Sequence, residues 1–170
     1  SDGGIGVVSV NLKVIQKNRA PVFASHDPAS TAEGGIIEYV VSATDPDNDT
    51  LTYSFEPSDL AGATITARDD GSALFRWEPN YAQAGSYNIR FSATDDGSPE
   101  DASQPPITVS ADPIAFTVAN TNRAPEIAEW VVPSVSESNT LTFTASATDP
   151  DNDAITLSCA DSVLCSLFDS

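Results

Sequence analysis

The sequence predicts an all-β protein built from tandem sandwich repeats with aligned antiparallel sheets, and three observations carry that expectation. Apolar residues alternate with polar ones over several short stretches, the period of a strand with one buried face. The 170 residues include 12 prolines and no helical periodicity of useful length, which favours short strands joined by turns. The block Ser-Ala-Thr-Asp-Pro-Asp-Asn-Asp stands at Ser42–Asp49 and again, 104 residues later, at Ser146–Asp153. The same offset carries Asn18-Arg19-Ala20-Pro21 onto Asn122-Arg123-Ala124-Pro125. Two blocks sharing one period mark a tandem array.

On this period, residues 1–17 hold the final strand of a preceding repeat, 18–121 form one complete β-sandwich repeat, and 122–170 are the N-terminal part of a following, truncated one. A repeat of about 100 residues is large enough to bury one core. The strands follow in order. Val10, Leu12 and Val14 lie one period before Ile114, Phe116 and Val118, so the opening stretch reads as a last strand. Ile37, Tyr39, Val41 and Ala43 share a face opposite Glu38 and Ser42, and the next strand runs through Leu51, Tyr53 and Phe55. Ala73, Phe75 and Trp77 alternate with Leu74 and Arg76; Tyr87, Ile89, Phe91 and Ala93 alternate with Asn88, Arg90 and Ser92. Asp69-Asp70-Gly71 and the stretch Asn80–Gly85 supply the turns between them. Residues 98–113 form the longest loop, with Ile107–Val109 as a brief edge strand, before the closing strand at Ile114–Val118. In the following repeat, Leu141, Phe143, Ala145 and Ala147, then Ile155, Leu157 and Cys159, occupy the matching inward positions.

Charge narrows the partners. The chain has 25 acidic and seven basic residues, a net charge of −18, which repels phosphate backbones and anionic lipid heads and excludes nucleic acid. No apolar run approaches the roughly 18 residues of a membrane span, and no charged-then-apolar signal opens the chain, so export signals are expected outside it. Cys159 and Cys165 lie six positions apart and admit either a disulfide across a short hairpin or two small core residues.

The repeated acidic block carries the chemistry. Asp45, Asp47 and Asp49 alternate with Pro46 and Asn48 where an apolar strand ends, crowding hard oxygens into one loop. Calcium accepts six to eight oxygen ligands with loose geometry, and such a loop can supply several. Two other readings stand beside it. Asp, Pro and Asn also build ordinary turns, and Arg19 or Arg123, repeating with the same period, can neutralise the carboxylates without a metal. The helix-flanked calcium hand does not fit: Thr50 stands where its glycine belongs, and Ala160 replaces Glu56 in the second copy.

Several motifs together resemble the cadherin-like repeats of bacterial surface proteins, including the dystroglycan-type and immunoglobulin-like variants. Asn18-Arg19-Ala20-Pro21-Val22-Phe23 is similar to the linker that opens such a unit, Glu33 to its first-strand glutamate, and Val41–Asp47 to the strand leading into its Asp-x-Asp ligands. Gly85–Pro99 is similar to the penultimate strand and its aspartate. The resemblance implies an immunoglobulin/cadherin-like Greek-key sandwich in an extracellular or cell-surface bacterial protein, with calcium at the junctions between repeats. The residues it implies are Glu33, Asn120, Asn122, Asp149 and Asp151 for the central junction, and Asn18, Asp45, Asp47 and Asp95 for the N-terminal one.

Catalysis is not expected: the complete repeat has one histidine, no cysteine and no nucleophile beside a base. An internal isopeptide bond is not expected either, since residues 18–121 contain no lysine. Asn48-Asp49-Thr50 fits the glycosylation acceptor pattern, but its copy ends in Ala154. Trp77 sits in a core pattern, leaving Trp130 as the tryptophan to consider for sugar stacking. The expected function is a rod-forming structural or adhesive module whose partners are neighbouring repeats, surface proteins or glycans. The alternatives are a carbohydrate-binding accessory module and a fibre subunit that adds a strand to another copy's edge.

Overall fold

Alternating side chains become two facing sheets in the computed structural model, which describes residues 3, 6, 8–14, 17–98, 103–129, 134–139 and 141–158. Two compact units form, Ser1–Asn120 and Thr121–Ser170. The first contains β1 (Val22–Phe23), β2 (Ala29–Ala32), β3 (Ile37–Val41), β4 (Ala43–Thr44), β5 (Thr52–Glu56), β6 (Ala63–Ala67), β7 (Ala73–Trp77), β8 (Gly85–Thr94), β9 (Thr108–Ser110) and β10 (Ile114–Ala119). The second contains β11 (Glu126–Ile127) and β12 (Ala147–Thr148).

In the first unit, β3, β7 and β6 form one antiparallel layer, and β1 pairs with β4 just beyond the end of β3. The other layer runs β2-β10-β8-β5. Strand β8 is long enough to pair with β10 along its first half and with β9 along its second, because the chain breaks the ladder at Ala111–Pro113. Strand β2 joins β10 in parallel, setting Ala29 beside Phe116 and Ala32 beside Ala119.

The expected inward residues are the ones that meet. Ile37, Val41, Phe75 and Trp77 face Ile89, Phe91, Ile114, Phe116 and Val118 in one buried cluster. Full burial of such side chains stabilises by about 1.5–3 kcal/mol each. Phe75 is central: its ring centroid lies 5.0, 5.3 and 5.7 Å from Phe55, Phe91 and Phe116, each edge to face, the arrangement that ring quadrupoles favour. Trp77 is fully buried, and its Nε1–H donates to the Ala61 carbonyl at 3.1 Å, so its polar edge is satisfied inside the core.

Some elements differ from expectation. β2 is built on Ala, Ser and Thr, whose small side chains give a weak alternating signal, and β6 has Ile65 as its one large apolar residue, packed against the core between alanines and threonines. In the second unit the only paired strands among the described residues are β11 and β12, with Glu126 opposite Thr148 as Val22 is opposite Thr44. Leu141, Phe143 and Leu157 keep the inward pattern of β3 and β5 but stand 43–46% exposed, outside any strand. Val8, Val10, Leu12 and Val14 are likewise outside strands and 72–93% exposed. Trp130, Cys159 and Cys165 lie outside the described residues.

Candidate functional site

Where β4 ends, Asp45 begins a turn that holds itself together. One carboxylate oxygen, Oδ1, accepts the backbone N–H groups of Asp47 at 2.7 Å and Asp49 at 3.4 Å. Asn48 takes a left-handed conformation at φ 62°, which asparagine tolerates better than most residues. The loop therefore folds so that oxygens of Asp45, Asp47 and Asp49 come within 4.8 Å of one another. At Asp49 partial desolvation, then the charges of Asp45, Asp96, Asp47 and Asp95, raise the carboxyl pKa above its ordinary value.

Two more segments converge on it. Strand β8 ends at Thr94 and delivers Asp95 into the interior, 3% exposed. Asp95 Oδ1 accepts from Gly97 N–H at 3.0 Å, Ile107 N–H at 2.8 Å and Asn18 Nδ2 at 3.1 Å, tying the linker and the β8–β9 loop to one atom. Gly97 has φ +71°, and a Cβ there would meet Gln104 O at 2.8 Å, so the corner needs glycine. Asn18 is also buried; its backbone N–H donates to Gln104 Oε1, and Thr50 N–H donates to Asp96 Oδ1 at 3.0 Å. Gln104 and Asp96 had no signal as site residues: the pairing of Asn18 with Gln104 spans 86 positions and exists only once the long loop has folded back.

Arginine is the third component. Arg19 donates through Nε and Nη2 to Asp47 Oδ1 at 2.8 and 2.6 Å, through Nη2 to the Pro46 carbonyl at 2.5 Å, and through its backbone N–H to Asp47 Oδ2 at 2.7 Å. Both Asp47 oxygens thus face Arg19, and the hydrogen bond with Asp47 is the chief cause holding the Arg19 pKa above its usual value. The second unit repeats the arrangement: Arg123 contacts Asp151 Oδ1 through Nε at 3.0 Å and Nη2 at 2.7 Å, Pro150 O at 2.7 Å, and Asp151 Oδ2 through its backbone N–H at 2.6 Å. Asn152 again has φ 62°, and Asp149 Oδ1 again accepts the amides of Asp151 and Asp153.

Of the residues expected at the N-terminal junction, Asn18, Asp45, Asp47 and Asp95 are brought together at one pole of the first unit. Three of their oxygens, Asn18 Oδ1, Asp45 Oδ2 and Asp95 Oδ2, are buried with no hydrogen-bond donor among the described residues. Buried oxygens in that state are costly. All are hard donors of the kind calcium takes, so the residues present fit that ion. The residues expected at the central junction fall in different units: Glu33 and Asn120 in the first, Asn122, Asp149 and Asp151 in the second. Glu33 is buried; its N–H donates to Ala119 O at 3.0 Å, and its Oε1 accepts from the amides of Gln83 at 3.2 Å and Ala84 at 2.9 Å.

Fold and site together define a β-sandwich module with an acidic, arginine-tied loop, and that loop recurs in the second unit. The chain belongs to the bacterial Ig domain family, whose sequence profile matches residues 18–110. It is similar to a chitinase A of Pseudoalteromonas piscicida, 29% identical over 141 residues, covering 83% of this chain and 16% of that protein. The chain thus spans about a sixth of the length of that curated relative. Among solved structures, it is similar to an endo-fucoidan hydrolase of glycoside hydrolase family 107 (22% identity, 60% of this chain and 14% of that chain, TM-score 0.46). It is also similar to the EC1-2 fragment of human protocadherin-24 (19% identity, 78% and 61%, TM-score 0.43). Among the described residues no helix is long and apolar enough to cross a membrane.

Proposed function

We propose that this chain is a run of non-catalytic structural repeats from a longer bacterial extracellular protein, spacing or presenting other parts of it, with calcium stiffening the acidic pole of each repeat. On this reading Val8–Val14 is the closing strand of a preceding repeat, and neighbouring repeats are the principal partners. The observation that carries the reading is the buried trio of unpartnered oxygens on Asn18, Asp45 and Asp95, set against a loop that recurs in both units. Asn18, Asp45 and Asp95 would hold the ion, with Asp49 as a further ligand, and the ion would supply only charge and cross-linking.

Calorimetric melting of the full chain tests it. Calcium at about a hundredfold over its dissociation constant stabilises by about 2.7 kcal/mol if it binds only the folded form, so Tm rises on adding calcium and falls back in EDTA. An unchanged Tm at millimolar calcium removes the ion from the proposal.

A second reading, a carbohydrate-binding accessory module, is favoured by the likeness to the chitinase, of which this chain matches a small part. Retention of the chain on insoluble chitin or on a glycan array would support it. Absence from both would leave the spacer role.

A further inference from the structure

We infer that Arg19 and Arg123 are resident counter-cations: each occupies the second aspartate of its Asp-Pro-Asp loop, withdraws that carboxylate from any metal, and keeps the loop and its incoming linker folded when no metal is bound. The inference deepens the calcium reading above and rests on it only for the metal arm of the test.

The geometry supports substitution for an ion rather than a chance surface pair. Arg19 saturates Asp47 from two directions, its guanidinium on Oδ1 and its backbone N–H on Oδ2, and it also takes the Pro46 carbonyl. One residue thus gathers a carboxylate and a backbone carbonyl, the two kinds of oxygen a calcium ion would collect from such a loop. The Asp47 side chain is only 7% exposed and the Asp151 side chain 6%, so each carboxylate is enclosed by the contact. The same four contacts recur in the second unit around Arg123, where β11 and β12 are the only strands among the described residues. The remaining oxygens divide accordingly. Asp45 and Asp95 keep a buried oxygen without a donor, while both oxygens of Asp47 are engaged. A planar guanidinium suits this task because it bridges a carboxylate and a neighbouring carbonyl at once, which an ammonium does less well.

The test compares the wild-type chain with Arg19→Gln and Arg19→Lys, in EDTA and in calcium, by melting and by hydrogen exchange of the Asp47 and Asp49 amides. In EDTA, Arg19→Gln is expected to melt about 4 °C lower, the scale of a modest loss in a domain of this size, and to exchange those amides faster, with Arg19→Lys between it and wild type. Calcium is expected to recover more in Arg19→Gln than it adds to wild type, because Asp47 becomes free to join the ion. Two results would overturn the inference: Arg19→Gln matching wild type in EDTA by both readouts, or calcium giving both proteins the same gain above zero; no response to calcium in either would sink the calcium reading and leave the EDTA comparison to decide. Wild type indifferent to calcium while Arg19→Gln responds would sink the calcium reading and leave the arginine inference standing.

Discussion

Asp95 is the side chain on which the acidic pole depends, and two substitutions separate what each of its oxygens does. Asp95→Ala removes the single acceptor of Gly97 N–H and Ile107 N–H and one of two acceptors of Asn18 Nδ2, which also donates to Pro105 O at 3.1 Å. Leaving buried amides without partners costs about 1–3 kcal/mol each, so the variant should lose about 3 kcal/mol. For a domain of about 100 residues that is a fall in Tm of about 12–18 °C, present with or without calcium. Asp95→Asn keeps an oxygen at the Oδ1 position and places an NH2 group where Oδ2 has no donor. In EDTA it should melt within about 4 °C of wild type, while its gain from calcium should fall by more than half. Calorimetry of the variants in both buffers reads both effects. Asp95→Ala melting within about 4 °C of wild type would show that the three-way hydrogen bond is not what holds the corner. Asp95→Asn responding to calcium as wild type does would remove Asp95 from the ligand set.

Two further outcomes follow. Glu33→Ala removes the acceptor of Ala84 N–H, while Gln83 N–H keeps the Asn80 carbonyl at 3.1 Å, and should cost about 1–3 kcal/mol by urea unfolding, whereas Glu33→Gln, which keeps an acceptor oxygen, should cost less than about 1 kcal/mol. Hydrogen bonds from Arg123 lower the Asp151 pKa in the folded chain, so the stability this pair contributes is complete above the ordinary aspartate value of about 3.9 and is lost as pH falls through the lower folded value. Carbon-13 titration of Asp151 should show a midpoint below about 3.9 that Arg123→Gln returns toward it; an equal midpoint in both proteins would contradict the linkage.

Legibility in the sequence followed the strength of alternation and the need for partners. Phe75 and Trp77 in β7, Ile89 and Phe91 in β8, and Phe116 in β10 announce themselves because large apolar residues alternate with polar ones and end up buried. Strand β2 does not, because Ala29 and its Ser and Thr neighbours bury too little surface to mark a face, and β6 offers only Ile65 as a large apolar residue. Leu141 and Phe143 show the reverse case, a clear alternating pattern at residues that stand exposed and outside strands, since alternation states which face would be buried and not whether a ladder forms. At the acidic pole, repetition exposed Asp45, Asp47 and the arginines. Asp95's convergence with Asn18 and Ile107 depends on loop closure and is only partly visible in the chain.

The parallel pairing of β2 with β10 has a mechanical consequence. β2 lies near the point where the chain comes in at Asn18 and β10 near the point where it leaves at Asn120, and both run the same way across the sheet. Tension between those two points therefore drags the strands past each other along their length, loading the bonds from Ala29–Phe116 to Ala32–Ala119 together rather than peeling them one by one. The first unit is thus built to yield abruptly under stretch, at the seam between its first long strand and its last.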